Sequence, residues 1–215
     1  ENVRRLRALG CEDVHYCGIG YSPAFDRHPA PDPLGTLVAD RIGYKPPEIP
    51  STGEDIDVLF FGTMSPRRMK VLQALNDAQV RTEAGTRPLM LAAVSSVYGA
   101  TLDHLIARAK IVLNIHMNDP GVAPRIFQMV RVAPLLANRK FVVTEGDGED
   151  AELEDFAATA TLRVPYERLT ATCVDLLQRP DGHRQTLATR GQNEIRRIDH
   201  VTEVRRALGE SGVRA

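Results

Sequence analysis

The chain has 215 residues, of which 43% are hydrophobic, enough for a substantial core and too many for a largely disordered protein. Its 27 Lys and Arg residues nearly balance its 28 Asp and Glu residues, so the formal net charge is -1. That balance gives no reason to expect a nucleic-acid or anionic-membrane partner. No apolar run approaches the roughly 18–20 residues that span a bilayer, so no transmembrane segment is predicted.

The cysteines and histidines predict neither a disulfide framework nor a metal site. Cys11, Cys17 and Cys173 are odd in number and include no CxxC pair, which favours a reducing, cytoplasmic setting. The six histidines show no HxxxH or HExxH spacing. No signal peptide is evident. The first residue, Glu1, falls inside a predicted helix, which indicates a piece of a longer protein.

The N-terminal quarter combines a helix, a strand and a long loop. Apolar residues at helical spacing predict a helix over residues 1–9, ended by Gly10. A short strand is predicted over residues 13–17. Residues 21–53 contain seven prolines and indicate a linker, with one helical turn near residues 34–41.

From residue 58 onwards, strands and helices alternate. The apolar run 58–61 is typical of a strand buried on both faces, and Ser65 and Pro66 then begin a helix. The further predicted strands span residues 111–116, 141–144 and 161–164, and the further helices residues 101–109, 124–138, 166–178, 182–197 and 201–208. This alternation predicts an α/β fold with a Rossmann-like, doubly wound parallel sheet and extra C-terminal helices.

Small or polar residues lie at or just after the carboxyl ends of several predicted strands. They are Gly62, Thr63, Asn114, His116 and Glu145. Open parallel sheets bind ligands beyond the carboxyl ends of their strands, so these residues are expected to converge on one binding site. For His116, a purely structural role remains the alternative.

Two arginines follow the first glycine turn. Arg67 and Arg68 lie in the first turn of the helix that begins after Gly62. Free N–H groups at a helix N-terminus and a nearby guanidinium both favour a phosphate group. The alternative is that both arginines simply point into solvent.

A second polar row is predicted on the helix over residues 124–138. Arg125, Gln128 and Arg131 are three residues apart and would share one face of that helix. Such a row at a helix start suits a diphosphate and a ribose, and a solvated face is the alternative.

Three common nucleotide or nucleophile motifs are missing. Gly18 and Gly20 lack the third glycine of the dinucleotide fingerprint and do not precede a helix. No GxxxxGK[ST] loop and no GxSxG elbow is present.

Four stretches together resemble the C-terminal, nucleotide-sugar-binding domain of GT-B glycosyltransferases. The likeness is to the "glycosyl transferases group 1" type, which includes spore-maturation-protein-like members, and it covers roughly residues 57–208. The stretches are DVLFFGTMSPRR (57–68), AKIVLNIH (109–116), RIFQMVRVAPLLANRKFVVTE (125–145) and the end of the chain, with Arg190-Gly191 and His200 to Arg205.

The resemblance implies a domain organisation and a donor site. Residues 1–22 would be a remnant of an N-terminal acceptor domain, 23–56 a Pro/Gly-rich linker and 57–215 the donor-binding domain. The donor diphosphate would lie near Gly62, Thr63 and Arg125. The family places a ribose-binding Glu where this chain has Gln128. An inverting base would come from the N-terminal domain, so no catalytic residue is assigned.

The leading hypothesis is therefore a glycosyltransferase. It would move a sugar from a nucleoside-diphosphate donor to an unknown acceptor (a glycan, lipid, protein or small molecule), without a metal or further cofactor. The isolated chain is expected to be inactive. One alternative is a non-catalytic, glycosyltransferase-like binding or assembly module, favoured by Gln128. Another is a different doubly wound enzyme, such as a sugar-phosphate epimerase or an oxidoreductase, although the missing GxGxxG argues against the oxidoreductase.

Overall fold

The computed structural model describes residues 2–26, 53–123, 125–146 and 151–210. Its strands are β1 (Ile56–Phe61), β2 (Gln79–Thr82), β3 (Gly85–Pro88), β4 (Leu91–Val94), β5 (Ala109–Asn114), β6 (Val142–Glu145) and β7 (Leu162–Val164). Five of them form one sheet in the order β4-β1-β5-β6-β7, and all neighbouring pairs are parallel. Strands β2 and β3 form a separate antiparallel hairpin.

Helices flank the sheet on both faces. They are α1 (Asn2–Ala8), α2 (Pro66–Asn76), α3 (Gly99–Arg108), α4 (Met129–Ala137), α5 (Ala151–Ala160), α6 (Leu169–Gln178), α7 (Asp181–Arg196) and α8 (His200–Glu210). Short 3₁₀ turns occur at Pro23–Phe25 and Tyr166–Arg168. The predicted α/β class with a Rossmann-like parallel sheet is confirmed.

Strand β1 shows why its sequence is continuously apolar. Side chains alternate across a strand, so Val58 and Phe60 enter the core that contains residues of α2 and α6. Leu59 enters the opposite core, which contains residues of α4, α5 and α7. All three side chains are fully buried. A strand covered on both faces has no polar side to present to water.

Of the two elements predicted near the N-terminus, one is confirmed and one is wrong. The helix over residues 1–9 is confirmed as α1, whereas the strand over residues 13–17 is wrong, because these residues pair with no strand. The chain packs instead against the junction of α7 and α8, where the Tyr21 amide donates to the Ile198 carbonyl at 2.6 Å. The helical turn predicted at residues 34–41 lies outside the described residues.

The helix predicted over residues 124–138 begins later than expected. Its first residue is Met129, and Gln128 before it has a non-helical backbone (φ -87°, ψ 77°). Phe127 is 2% exposed and lies 6.2 Å from the ring of Phe156. Burial of Phe127 draws this segment into the core as an extended lead-in, so Arg125 and Gln128 do not share a helix face with Arg131.

Strand β4 and the β2–β3 hairpin were not predicted. Each of these three strands spans four residues, and most residues of the two hairpin strands are exposed. Strands this short carry too little hydrophobic alternation to be distinguished from loop by pattern alone.

Candidate functional site

The carboxyl ends of the three central strands meet at one rim. Strands β1, β5 and β6 are adjacent and parallel, so Gly62, Asn114 and Glu145 come together there, as the strand-end argument predicts. Asn114 and Glu145 are 3% and 2% exposed. Their side chains are therefore tied into the protein rather than displayed on its surface.

Gly62 has a conformation and a neighbour that both require glycine. Its φ of +138° is rarely adopted by residues with a side chain. A Cβ atom built at this position would lie 2.5 Å from Nη2 of Arg131. The glycine thus lets the guanidinium of Arg131 approach the turn after β1.

Arg67 makes a two-pronged salt bridge with Glu145. Its Nη1 and Nη2 donate to Oε2 and Oε1 at 2.6 and 2.5 Å. Its Nε lies 3.1 Å from Oδ1 of Asp119, and its guanidinium stacks 3.7 Å from the ring centre of Tyr166. Burial lowers the pKa of Arg67, but the bonds to Glu145 outweigh burial and raise it. Arg67 therefore faces protein partners.

Arg68 holds backbone carbonyls instead of a carboxylate. Its Nε and Nη2 donate to the carbonyl of Ile115 at 3.0 and 2.6 Å, and its Nη1 donates to the carbonyl of Thr63 at 2.8 Å. Burial, with the nearby charge of Arg131, lowers the pKa of Arg68 to about 10, so it stays protonated at neutral pH. These three bonds hold the guanidinium in place without cancelling its charge.

Arg131 is a further cation of the rim and is half-buried. Its Nη1 lies 3.4 Å from Oδ1 of Asn114, whose Nδ2 donates to Oγ1 of Thr144 at 3.0 Å. Its guanidinium also lies 5.2 Å from the ring centre of Phe61. Burial lowers the pKa of Arg131. The partner of Arg131 here is a neutral amide, so this charge too is not cancelled by its hydrogen bond.

His116 presents a buried nitrogen that the described residues leave unsatisfied. Its backbone N–H donates to Oε2 of Glu145 at 2.9 Å. Its Nε2 is buried and has no hydrogen-bond partner within the described part of the chain. Burial lowers the pKa of His116 from its ordinary value, with help from Arg125 and the arginines of α2 and against the effect of Glu145, and the lowered pKa favours the neutral ring. A buried polar atom without a partner calls for an explanation, and a bound ligand supplies one.

These residues surround a cavity of about 230 Å³. Its described lining consists of Thr63, Arg68, His116, Met117, Asn118, Arg125, Ile126, Gln128 and Arg131. Three of these residues are arginines, and none carries a carboxylate. A small polar cavity with such a charge excess is suited to an anion that accepts several hydrogen bonds, and it is called the anion cavity below.

Six of the ten predicted site residues line this cavity, and four stand behind it. Those behind are Gly62, Arg67, Asn114 and Glu145. The prediction that Arg67 contacts a ligand phosphate remains untested, although its guanidinium is occupied by Glu145 and Asp119. Sequence reasoning missed Tyr166, which follows β7 and was detectable by the same strand-end rule.

A second cavity of about 330 Å³ lies between α3 and α4 and has a more apolar lining. It includes Phe61, Leu102, Ile106, Pro134 and Leu135, and it shares Arg131 with the anion cavity. Arg131 thus stands in the wall between a charged and an apolar space.

The described residues contain no cluster of three or more His, Cys, Asp or Glu residues that could hold a metal ion. None of their helices is both long and apolar enough to cross a membrane.

Comparison with known proteins supports the fold and not a particular activity. No protein-family model matches the chain, and no protein of curated function is similar in sequence. A similar solved structure is AviGT4, described as a glycosyltransferase involved in avilamycin A biosynthesis, with a TM-score of 0.52 and 17% identity. The match covers 99% of this chain and 61% of that one. The chain therefore has a glycosyltransferase-like fold and spans about three fifths of that neighbour's length.

Proposed function

We propose that this chain binds the diphosphate of a nucleoside-diphosphate sugar and supplies the donor-binding part of a glycosyltransferase. The observation that carries the proposal is the cavity lined by Arg68, Arg125 and Arg131 with no carboxylate in its described lining. The nearby carboxylate of Glu145 is shared by Arg67 at 2.5 Å and Arg125 at 3.7 Å. With Asp119 beside Arg67, two carboxylates face four arginines, namely Arg67 and the three of the lining. The cavity therefore has a cationic excess that a doubly charged diphosphate would balance.

The same charges suit the chemistry of glycosyl transfer. In that reaction the bond between the anomeric carbon and the diphosphate oxygen breaks, and negative charge grows on the leaving diphosphate. Guanidinium groups fixed in a low-dielectric site stabilise that charge without having to reorganise. Arg68 and Arg131 are held in this way by Ile115 and Asn114.

The neutral ring of His116 adds a site for a hydroxyl group. Its Nε2 is available to one hydrogen bond at the cavity wall. A hydroxyl of the donor ribose or sugar can either donate to it or accept from it, according to the tautomer. Gln128, whose side chain makes no capping bond to α4, lines the same cavity and offers an amide for a second hydroxyl.

A non-catalytic, glycosyltransferase-like binding module is the second candidate. Gln128 favours it, because the resemblance places a Glu at this position. Both functions predict that a nucleoside diphosphate binds here. They differ in turnover of a nucleotide sugar by the longer protein, which only the enzyme would show.

The test is nucleotide binding by the chain and by a matched pair of variants. Thermal-shift screening with UDP, GDP, ADP and dTDP at millimolar concentration should raise the melting temperature with at least one of them, and NAD is included to test the oxidoreductase alternative. Arg125→Ala should weaken that binding by about tenfold or more, since a charge-assisted hydrogen bond is lost. Arg139→Ala should not, because Arg139 bonds Thr189 away from the cavity. Equal effects of the two variants, or no shift with any nucleoside diphosphate, would reject the proposal.

A further inference from the structure

The loop after β5, residues 115–119, forms one wall of the anion cavity through His116, Met117 and Asn118. Its position decides where the ring of His116 lies. The loop has no place in the sheet, since β5 ends at Asn114. Its placement must therefore come from contacts with neighbouring segments.

The start of α2 supplies those contacts. Oγ of Ser65 donates to the carbonyl of Met117 at 2.8 Å. Arg68 donates to the carbonyl of Ile115. Both contacts hold backbone carbonyls, so they fix the path of the loop and leave the His116 amide and the Asp119 side chain to other partners.

Arg67 reaches both remaining points of the loop. It contacts Asp119 directly, with Nε 3.1 Å from Oδ1. Its two terminal nitrogens also donate to the carboxylate of Glu145, and Oε2 of that carboxylate accepts a hydrogen bond from the His116 amide at 2.9 Å. The guanidinium is 6% exposed and the carboxylate 1%, so neither can exchange its partner for water in place.

Tyr166 fixes Arg67 in turn. Its ring lies against the guanidinium at 3.7 Å, and its hydroxyl donates to the backbone carbonyl of Arg67 at 2.8 Å. One side chain thereby connects the start of α2, the tip of β6, the loop after β5 and the turn after β7. A lysine could not replace it, because a single ammonium lacks the planar fork and stacks poorly on a ring.

From these contacts we propose that Arg67 is a positioning residue: through Glu145 and Asp119 it holds the 115–119 loop, and with it His116, around the anion cavity. The inference rests on the proposed function in so far as the cavity binds a phosphate-bearing ligand. It places Arg67 behind the binding surface instead of in contact with the ligand.

The structure offers a matched control at the other end of β1. Arg87 also makes a two-pronged salt bridge with a buried carboxylate, that of Asp57, at 2.5 and 2.8 Å. It lies far from the cavity in the fold, since Asp57 is at the amino end of β1. Arg67→Lys and Arg87→Lys therefore remove the same kind of interaction at opposite ends of the sheet.

Two measurements on these variants test the proposal. The first is hydrogen exchange of the His116 amide by NMR without ligand, which is expected to accelerate about tenfold in Arg67→Lys and to stay unchanged in Arg87→Lys. The second is the Kd for inorganic pyrophosphate, which is expected to rise about tenfold in Arg67→Lys only, because a displaced wall costs binding without loss of a ligand contact. If Arg67→Lys acted only by lowering global stability, exchange of the core amides would accelerate together and that of the His116 amide would not stand out.

Either of two results would overturn the proposal: unchanged protection of His116 in Arg67→Lys, or an unchanged pyrophosphate Kd. If Arg67→Lys does not fold, Tyr166→Leu provides the same two readouts, because it removes the ring and the hydroxyl that fix Arg67 and leaves the acceptor of the His116 amide in place. Failure of the wild-type chain to bind any nucleoside diphosphate would count against the proposed function, and the ligand-free exchange of His116 would still decide the role of Arg67.

Discussion

The two ends of the sheet carry buried charges that are organised in different ways. At the amino end, Asp57 is fully buried and accepts bonds from Arg87, Lys110 and the amide of Met90. At the carboxyl end, Glu145 is similarly buried and pairs with Arg67 and, at 3.7 Å, with Arg125, whereas the hydrogen bonds of Arg68 and Arg131 go to neutral groups. The first cluster is closed on itself, whereas the second leaves positive charge facing a cavity.

That difference separates a structural cluster from the proposed binding site. Both clusters contain a buried carboxylate and arginines, so residue type and burial alone do not distinguish them. The distinction lies in the charge that remains after internal pairs are matched, and in whether that charge borders a space of ligand size. A site that holds an anion has to keep some of its cations unmatched.

The largest expected effect comes from removing Glu145. Glu145→Ala leaves Arg67 buried without its main partner beside Arg68, which should cost about 3–5 kcal/mol of unfolding free energy. Asp57→Ala should cost less, about 1–3 kcal/mol, because the side chains of Arg87 and Lys110 are 36% and 24% exposed and can turn to water. Urea unfolding at pH 7 measures both. A loss for Asp57→Ala as great as that for Glu145→Ala would contradict this reading of the two clusters.

The next largest expected effect is a loss of stability in acid, caused by protonation of Asp57 in the closed cluster. Burial raises the pKa of Asp57, but bonds from Arg87 and Lys110 outweigh it and lower the pKa from 3.8 to about 2. Because the folded-state pKa lies below the unfolded value, the stabilisation is present above about pH 4 and is lost as the pH falls toward 2.

The shift corresponds to about 2 kcal/mol. Urea unfolding from pH 7 downward should show this loss in the wild type and not in Asp57→Asn, in which the group cannot ionise. Parallel pH profiles for the two proteins would show that Asp57 does not carry the effect.

The smallest expected effect is at Gly62. Gly62→Ala should cost about 1–2 kcal/mol through its strained φ, and it should also weaken UDP binding because the new Cβ displaces Arg131. Gly85→Ala is the matched control, since Gly85 has a φ of +121° with nothing within 4 Å of the added Cβ. Calorimetry of unfolding and of nucleotide binding should show strain in both variants and weakened binding only in Gly62→Ala. Equal nucleotide binding by Gly62→Ala and Gly85→Ala would show that Arg131 does not contribute to nucleotide binding.

Prediction from sequence succeeded where the answer depends on chain order alone. The apolar run at residues 58–61 became β1 as predicted. The residues that end β5 and β6 lie at one rim because parallel strands place their carboxyl ends together. It failed where a short segment was decided by its surroundings. Phe127 entered the core and delayed the start of α4, and residues 13–17 found no strand with which to pair.

The amino-acid sequence by itself determined the α/β alternation, the position of the candidate site at the strand ends and the arginines that supply its charge. Only the tertiary structure decided what each arginine does. Arg67 and Arg68 are neighbours in sequence, yet one pairs with a carboxylate 78 residues away and the other holds a carbonyl 47 residues away. Adjacent helical side chains point about 100° apart, and which distant segment each meets is set by the packing of the whole sheet and its helices.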